Sequence, residues 1–427
     1  MNDFIELTID SMAQGGEGVG RVDGQVVFVG GALPGERVRV RLTERRPSYA
    51  RGVIETILAA SPERVAPRVA SSDHAPWQHI AYPAQLRFKE QIVREQLMKI
   101  AGIDEPPVLP SIGSPQPWGY RNTAHLHVQN GTIGYYRAGS RDVVALDHDP
   151  LLLPELNAAL AGLREIAADA TLSGVTLRAS AAFHYSVALL RGERDLEDLA
   201  DIWLMRVPSL AGVAVAQLEA SAERDEDEPD GEDEAAIDLP LTLHEELGGV
   251  IFELSPQSFF QVNVAQARRL LELARVGLDL HGADRLLDAF SGAGTFALPL
   301  AREVASVVAI EENPQAVADG ERSALLNEID NVRFMAIPVE RALPELNERF
   351  AGVLLDPPRR GCHPATIAAL LRLAPRRIVY ISCHPGILAR DLRPLLEGGY
   401  RLASVQPVDL FPQTPHIESV AVLEYGA

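Results

Sequence analysis

The chain has 427 residues, 47% of them apolar and 23% charged, which suits two or three globular domains and excludes disorder along the whole length. No apolar run approaches the roughly 18 residues of a membrane span, and Met1–Glu6 lacks the pattern of a signal peptide. Two cysteines, Cys362 and Cys383, exclude a disulfide scaffold and a four-cysteine zinc site, so a soluble cytoplasmic protein with no membrane partner is expected.

The net charge of −20 decides little about partners, because eleven acids against one arginine between Glu219 and Asp238 supply about half of it. The first sixty residues read as a small β module. Phe4–Ile9, Gly24–Val29 and Glu36–Arg41 are short runs, punctuated by Gly15-Gly16, Gly18, Gly20, Gly30-Gly31 and Pro34-Gly35. In the third run the valines face one way and Arg37, Arg39 and Arg41 the other. A row of guanidiniums suits an oligonucleotide-binding barrel; an ordinary solvated strand face gives the same alternation. Leu86, Val93, Leu97 and Ile100 keep helical spacing, and a helical segment is expected over 86–112, packed on the C-terminal domain. Residues 115–218 mix β-like runs such as Thr132–Tyr136 with an apolar helical stretch, Leu151–Ala167. The acidic block 219–238 reads as a solvated insertion. From residue 284, Leu286-Leu287, Val304–Ile310, Val353–Leu355 and Ile378–Ile381 alternate with helical stretches, which points to an α/β fold with a parallel doubly wound sheet. The expected domains are 1–59, an OB-like β-barrel; 60–250, mixed α+β; and 251–427, Rossmann-like.

Ligands of such a sheet bind beyond the carboxyl ends of its strands. Each run leads into a polar segment: Asp288 to Phe296, then Glu311, then Asp356-Pro357-Pro358-Arg359-Arg360-Gly361, then Ser382-Cys383-His384-Pro385. The turn with Gly292 and Gly294, followed one strand later by Glu311, suits an adenosine cofactor. Glycines let the backbone approach, and the carboxylate takes ribose hydroxyls. Phe296-Ala297 stand where a dinucleotide would want a third glycine, so S-adenosyl-L-methionine, which has no phosphate, fits better than NAD. Cys383 sits at a strand end with Pro385 in the first turn of a helix, a place expected to lower a thiol pKa; a buried small hydrophobe is the plain alternative. Glu418 puts a carboxylate just before the apolar run Val420–Leu423. His416 and Glu418 have no third ligand at a matching spacing, so no metal is expected. A thiol, a carboxylate base and a methyl donor together suggest methylation of an sp2 carbon made nucleophilic by conjugate attack.

Further motifs carry a family likeness: Gly15–Arg21 and Gly31–Glu36, Gln78–Tyr82 with Gln85-Leu86, Tyr120-Arg121-Asn122 and Ser258–Asn263. So do the Asp288 turn, Asp356–Arg359, Ser382–Pro385 with Ala389–Leu392, and Phe411–Thr414 through Glu418. With them the chain resembles the RNA uridine-5 methyltransferases, in particular the TRAM-bearing 23S rRNA type, over nearly its whole length. The resemblance implies a TRAM barrel over 1–59 and a central RNA-binding domain over 60–250. It assigns Gln261, Phe290, Glu311 and Asp356 to S-adenosyl-L-methionine or its surroundings, Cys383 to the nucleophile and Glu418 to the base. The implied reaction adds Cys383 to C6 of a uridine drawn out of its stack, methylates C5 and removes the C5 proton with Glu418. The implied partner is RNA, 23S rRNA ahead of tRNA, and the expected state a monomer. A tRNA enzyme, a catalytically silent RNA-binding relative, and an enzyme of DNA or a free base are the alternatives.

The chain departs from the family at three places. Many members hold an iron–sulfur cluster on four cysteines, but Val69–Trp77 and Asp149 supply none, so no cluster is expected. Packing around Pro76 and Trp77 is expected to fill the space, and loss of Trp77 to destabilise the central domain. His384 stands where the family usually has asparagine. Pro338 replaces an asparagine that in some members helps hold the adenine.

Overall fold

A computed structural model describes residues 4–69, 74–137, 139–167, 172–192, 196–217 and 241–426. The acidic block 219–238 and positions 70–73 lie outside the described residues. Among the described residues no helix is long and apolar enough to cross a membrane. The chain divides into two compact units: Met1–Pro117, Glu272–Asp279 and Leu354–Ala427 form one, and Trp118–Leu271 with Leu280–Val353 the other.

Strands β1 (Phe4–Met12), β2 (Gly18–Val22), β3 (Gln25–Gly30), β4 (Arg37–Arg45) and β5 (Tyr49–Ala59) close into a barrel of order β1-β2-β3-β5-β4. Strand alternation turns Leu7, Ile9, Val27, Val29, Val38, Val40 and Ala50 inward, and each larger side chain contributes about 1.5–3 kcal/mol by leaving water. Arg37, Arg39 and Arg41 stay exposed on the outer side of β4. Strand β2 occupies a stretch that reads as glycine punctuation. Its Gly20 is needed for close approach: a Cβ there would lie 2.3 Å from the Thr8 carbonyl oxygen of the paired β1.

Helix α1 (Tyr82–Gln96) has Pro83 in its first turn. It continues as a π-helical segment, Leu97–Ala101, and ends at Gly102 with φ 72°. Beyond it the chain is extended, Val108 bridging Val405 and Ile112 bridging Val408. The helix expected over 86–112 therefore stops at 101, because Gly102 takes the left-handed cap and Pro106, Pro107 and Pro110 cannot continue a helix. The buried face differs too. Ala84, Gln85, Phe88, Lys89, Ile92 and Val93 point inward, while Ile100 is exposed; two polar side chains thus occupy core positions.

In the other unit, β6 (Thr123–Gln129), β7 (Thr132–Tyr136), β8 (Val143–Ala145), β9 (Leu172–Ala179), β10 (Ser186–Gly192) and β11 (Leu210–Gln217) form a sheet of order β11-β10-β9-β6-β7-β8. Its pairs are antiparallel except β10 with β11. Helices α2 (Pro154–Ile166) and α3 (Glu197–Arg206) pack on it through Leu156, Leu160, Leu163 and Trp203. A hairpin, β12 (Leu243–Leu247) and β13 (Val250–Leu254), precedes α4 (Val264–Leu278).

The remaining elements alternate: β14 (Arg285–Ala289), α5 (Ala297–Ala301), β15 (Ser306–Glu311), α6 (Pro314–Leu326), β16 (Val332–Ala336), α7 (Val339–Glu345), β17 (Gly352–Leu355), α8 (Pro364–Leu373), β18 (Arg377–Ser382), α9 (Pro385–Glu397), β19 (Tyr400–Val408) and β20 (Glu418–Tyr425). The sheet order is β16-β15-β14-β17-β18-β20-β19. Strands β14, β15 and β16 are parallel, as a Rossmann-like α/β fold requires. Beyond the runs that read as a parallel doubly wound sheet, the sheet ends in a reversed strand: β20 runs antiparallel to both β18 and β19. The cause is the connection. Loop 409–417 carries no crossover helix, so β19 and β20 form a hairpin.

Candidate active site

The last paired residues of β18 and β20 are Ser382 and Ser419. Continuing that antiparallel register by one residue sets Cys383 opposite Glu418, the first residue of β20, and directly opposed residues point to one side of a sheet. Two residues far apart in sequence are thereby brought together by strand pairing. Glu418 is also paired across to Val408 of β19. Asp356 comes just after the end of β17, and its charge reaches both Cys383 and Glu418.

Electrostatics here run against the thiolate expected from a helix start. Burial pushes the Cys383 thiol up to about 11, with the Glu418 and Asp356 carboxylates adding to the rise and Arg359 opposing it. Cys383 stands one place before the helix cap and is half-buried, so desolvation and two acids outweigh the α9 dipole. Glu418 is 4% exposed. Burial first, and Asp356 second, hold its carboxyl well above the usual carboxylate range, and its Oε1 meets no hydrogen-bond partner among the described residues. Cys383 therefore keeps its proton at neutral pH in the free protein. Cys362, by contrast, is buried, and desolvation pushes its thiol up to about 12.

Helix α9 frames this pair. His384 is its N-cap: Nδ1 accepts from the Ile387 N–H at 3.1 Å. Burial, helped by the Arg359 and Arg390 cations, lowers the His384 pKa and keeps this neutral cap. The side-chain amide nitrogen of Gln14, from the turn between β1 and β2, lies 2.9 Å from His384 Nε2. Further along α9, Asp391 accepts from Tyr380 Oη at 2.7 Å and from the Cys362 N–H at 2.8 Å. Arg390 bonds both Asp391 and the Arg360 carbonyl. These bonds pin the 358–362 turn just beyond Asp356.

The glycine turn belongs to the other unit. Phe290 has φ 70°, Gly292 54° and Gly294 78°, and the Phe290 and Ser291 N–H groups both donate to the Ile310 carbonyl. Glu311, ending β15, accepts from the Gly292 N–H at 3.0 Å and the Asn313 N–H at 2.8 Å. A Cβ on Gly292 would meet nothing within 4 Å, so this backbone faces open space beside a carboxylate. That donor set fits the ribose and amino-acid groups of an adenosine cofactor. Gln261 is buried, and its carbonyl accepts from Asn122 Nδ2 at 3.1 Å. Pro338 caps α7 next to the Glu311 carbonyl's partner Ile337 and offers no side-chain donor. His416 is exposed and Glu418 buried; among the described residues no group of three His, Cys, Asp or Glu side chains is placed to hold a metal ion.

Several contributors have no sequence motif. Arg178 donates to the Ser255 carbonyl at 2.9 Å and to the Ser258 carbonyl. Asp319 accepts from the Ser255 N–H at 2.7 Å. Together they fix the loop that leads to Gln261. Gln14 lies in the barrel, remote in sequence from the helix cap it touches. Lys89 carries a faint signal: it is one of two lysines among 39 basic residues, set where α1 faces inward.

A family model described as tRNA (Uracil-5-)-methyltransferase matches residues 241–425, and the TRAM domain model matches residues 3–54. The chain is 36% identical to an uncharacterized RNA methyltransferase of Thermosynechococcus vestitus, covering 98% of this chain and 97% of that one. It is 33% identical to another from Halalkalibacterium halodurans, over 99% and 97% of the two chains. The crystal structure of Pyrococcus abyssi tRNA (uracil-54, C5)-methyltransferase in complex with S-adenosyl-L-homocysteine is similar with TM-score 0.73 and 26% identity, over 98% of this chain and 100% of that one. A barrel, a Rossmann-like sheet and relatives matched from end to end converge: the chain belongs to the TRAM-bearing RNA uracil-5 methyltransferase family and is an RNA-modifying methyltransferase.

Proposed function

We propose that the protein methylates C5 of a specific uridine in RNA through a covalent adduct between Cys383 and C6. The observation that carries this reading is the register that sets Cys383 opposite Glu418 at the ends of β18 and β20. S-adenosyl-L-methionine, the ligand class suggested by the S-adenosyl-L-homocysteine complex of the Pyrococcus abyssi enzyme, supplies an electrophilic methyl group when bound. Gln261, Phe290, Gly292, Gly294, Glu311 and Asp356 would hold it: the glycine turn by backbone approach, Glu311 through ribose hydroxyls.

The chain's own residues do the rest. The target uridine leaves its stack to reach a half-buried thiol. Cys383 loses its proton to solvent and its sulfur bonds to C6, which drives electron density onto C5. After C5 has taken the methyl group, the Glu418 carboxylate removes the remaining C5 proton. That electron pair restores the C5–C6 double bond and expels the Cys383 thiolate. The low polarity that raises the Glu418 pKa makes it a stronger base once ionised.

Residues 1–59 and 60–250 serve RNA binding in this reading, and 251–427 the chemistry. Four cluster-binding cysteines are lacking, so the enzyme works without an iron–sulfur cluster. Asp149, at the fourth position, instead accepts from the Leu151 N–H at 2.8 Å and Tyr135 Oη at 3.2 Å. The substrate proposed is 23S rRNA, acted on by a cytoplasmic monomer. A tRNA substrate is the second reading, favoured by the tRNA activity of the Pyrococcus abyssi enzyme. Incubation with S-adenosyl-L-methionine and separate unmodified 23S rRNA and tRNA, followed by nuclease digestion and mass spectrometry, should yield 5-methyluridine in a 23S fragment. Product in tRNA alone would keep the chemistry and change the substrate. Product in neither would leave a silent RNA-binding relative.

A further inference from the structure

Loop 409–417, which delivers Glu418 to β20, is held by α1 through bonds that a stability argument does not explain. Lys89 Nζ lies 2.6 Å from Asp409 Oδ1 and 3.1 Å from the Phe411 carbonyl oxygen. The pair is 1% and 0% exposed by side chain, and Lys89 Nζ sits 5.6 Å from the centre of the Trp77 ring. One turn earlier, Gln85 Nε2 donates to Gln413 Oε1 at 2.9 Å, and Gln85 Oε1 accepts from the Gln413 N–H at 3.0 Å. The Trp77 backbone N–H donates to the Gln413 carbonyl at 2.9 Å. Gln413 adopts φ 68°, a left-handed conformation that a non-glycine residue keeps only under restraint. At the loop's far end, a Cβ on Gly16 would come within 2.8 Å of Pro415, so the barrel turn abuts it.

A buried ion pair is weak evidence for stability, because desolvation offsets its attraction, and an apolar pair of similar volume often folds as well. What such a pair does supply is a unique geometry. Among the described residues nothing bonds Oε1 of Glu418, so no hydrogen bond at that oxygen fixes the aim of the carboxyl and the placing of its backbone matters the more. That backbone is reached through a loop whose first residue is fixed by Lys89 and whose middle is fixed by Gln85.

We propose that Lys89–Asp409 and Gln85–Gln413 form a positioning lock that aims the Glu418 carboxyl at the C5 proton of the methylated adduct. The inference rests on the roles given above to Cys383 and Glu418. Misaiming Glu418 leaves bond formation at C6 and C5 intact but slows loss of the C5 proton, so the Cys383–RNA adduct, already carrying the new methyl, persists.

The test is the apolar double variant Lys89→Met/Asp409→Leu in the full chain, with Gln85→Met as an independent probe of the second pair. Each is incubated with substrate RNA and radiolabelled S-adenosyl-L-methionine, and the SDS-stable labelled adduct is followed with time beside a thermal melt. Expected are a melting temperature near that of the parent for the double variant and a lower one for Gln85→Met, which leaves the buried Gln413 N–H unpaired, with unchanged adduct formation in both and adduct decay slowed between about tenfold and a hundredfold, the usual cost of an ångström-scale misplacement. Decay at the parental rate in both variants overturns the lock. So does an equal loss of formation and decay, which would mark a merely structural role. If the double variant fails to fold, Gln85→Met alone decides. Cys383→Ala, expected to form no adduct, and Glu418→Gln, expected to trap it, separate failure of the lock from failure of the catalytic assignment.

Discussion

Cys383 and Cys362 are chemically identical in sequence and opposite in setting. Cys362 is enclosed, its backbone N–H tied to Asp391, and its thiol raised to about 12. Cys383 is reachable, but partial burial, with two neighbouring acids adding to it, pushes its thiol up to about 11. The free enzyme therefore stores a protonated nucleophile, and reactivity must rise with pH. Alkylation of Cys383 by iodoacetamide, read by mass spectrometry, should accelerate about tenfold per pH unit toward pH 11. Asp356→Asn removes a negative charge that favours the protonated thiol, so its curve should shift to lower pH. A rate already level below pH 8 would contradict a raised thiol. Cys362 should stay unlabelled in the native protein throughout.

At the scale of elements, α1 shows why periodicity can locate a helix and misjudge its face. Its inward positions include Gln85 and Lys89, whose partners Gln413 and Asp409 are more than three hundred residues away. Only those partners make burial tolerable. Trp77 belongs to the same cluster and is 1% exposed. The fold puts it in the unit that contains the barrel, α1 and loop 409–417, where it supports the lock rather than the sheet of β6 to β11. Trp77→Ala should cost about 3–5 kcal/mol in that unit, measured by chemical denaturation. Because the indole Nε1 meets no acceptor among the described residues, Trp77→Phe should cost much less. Equal costs would mean that ring volume is not what matters there.

For the whole molecule, RNA binding has to overcome a net charge of −20. The outer face of the barrel offers a local remedy, since β4 exposes Arg37, Arg39 and Arg41 in one row. Arg39 is partly neutralised by Glu6 at 2.8 Å. Arg37→Ser/Arg41→Ser should weaken RNA binding similarly across sequences and reduce the slope of log affinity against log salt by about 0.7 for each phosphate left without its arginine. An unchanged slope would move the RNA-binding face away from β4.

Local rules made much of this protein legible. Alternation and glycine turns announced β1, β3 and β4, and the strand–helix rhythm from residue 284 announced β14, β15, β17 and β18. The residues just beyond those strands, Cys383 among them, are legible because such a sheet gathers its chemistry at one edge, and motif likeness adds the roles of Cys383 and Glu418. The features that stayed hidden were set by pairing between distant segments. The reversal of β20, the register that opposes Cys383 and Glu418, the raised thiol and the inward Gln85 and Lys89 all depend on which strand or loop arrives as neighbour. Burial and Coulomb energies are properties of that assembled neighbourhood, so only the tertiary structure could decide them.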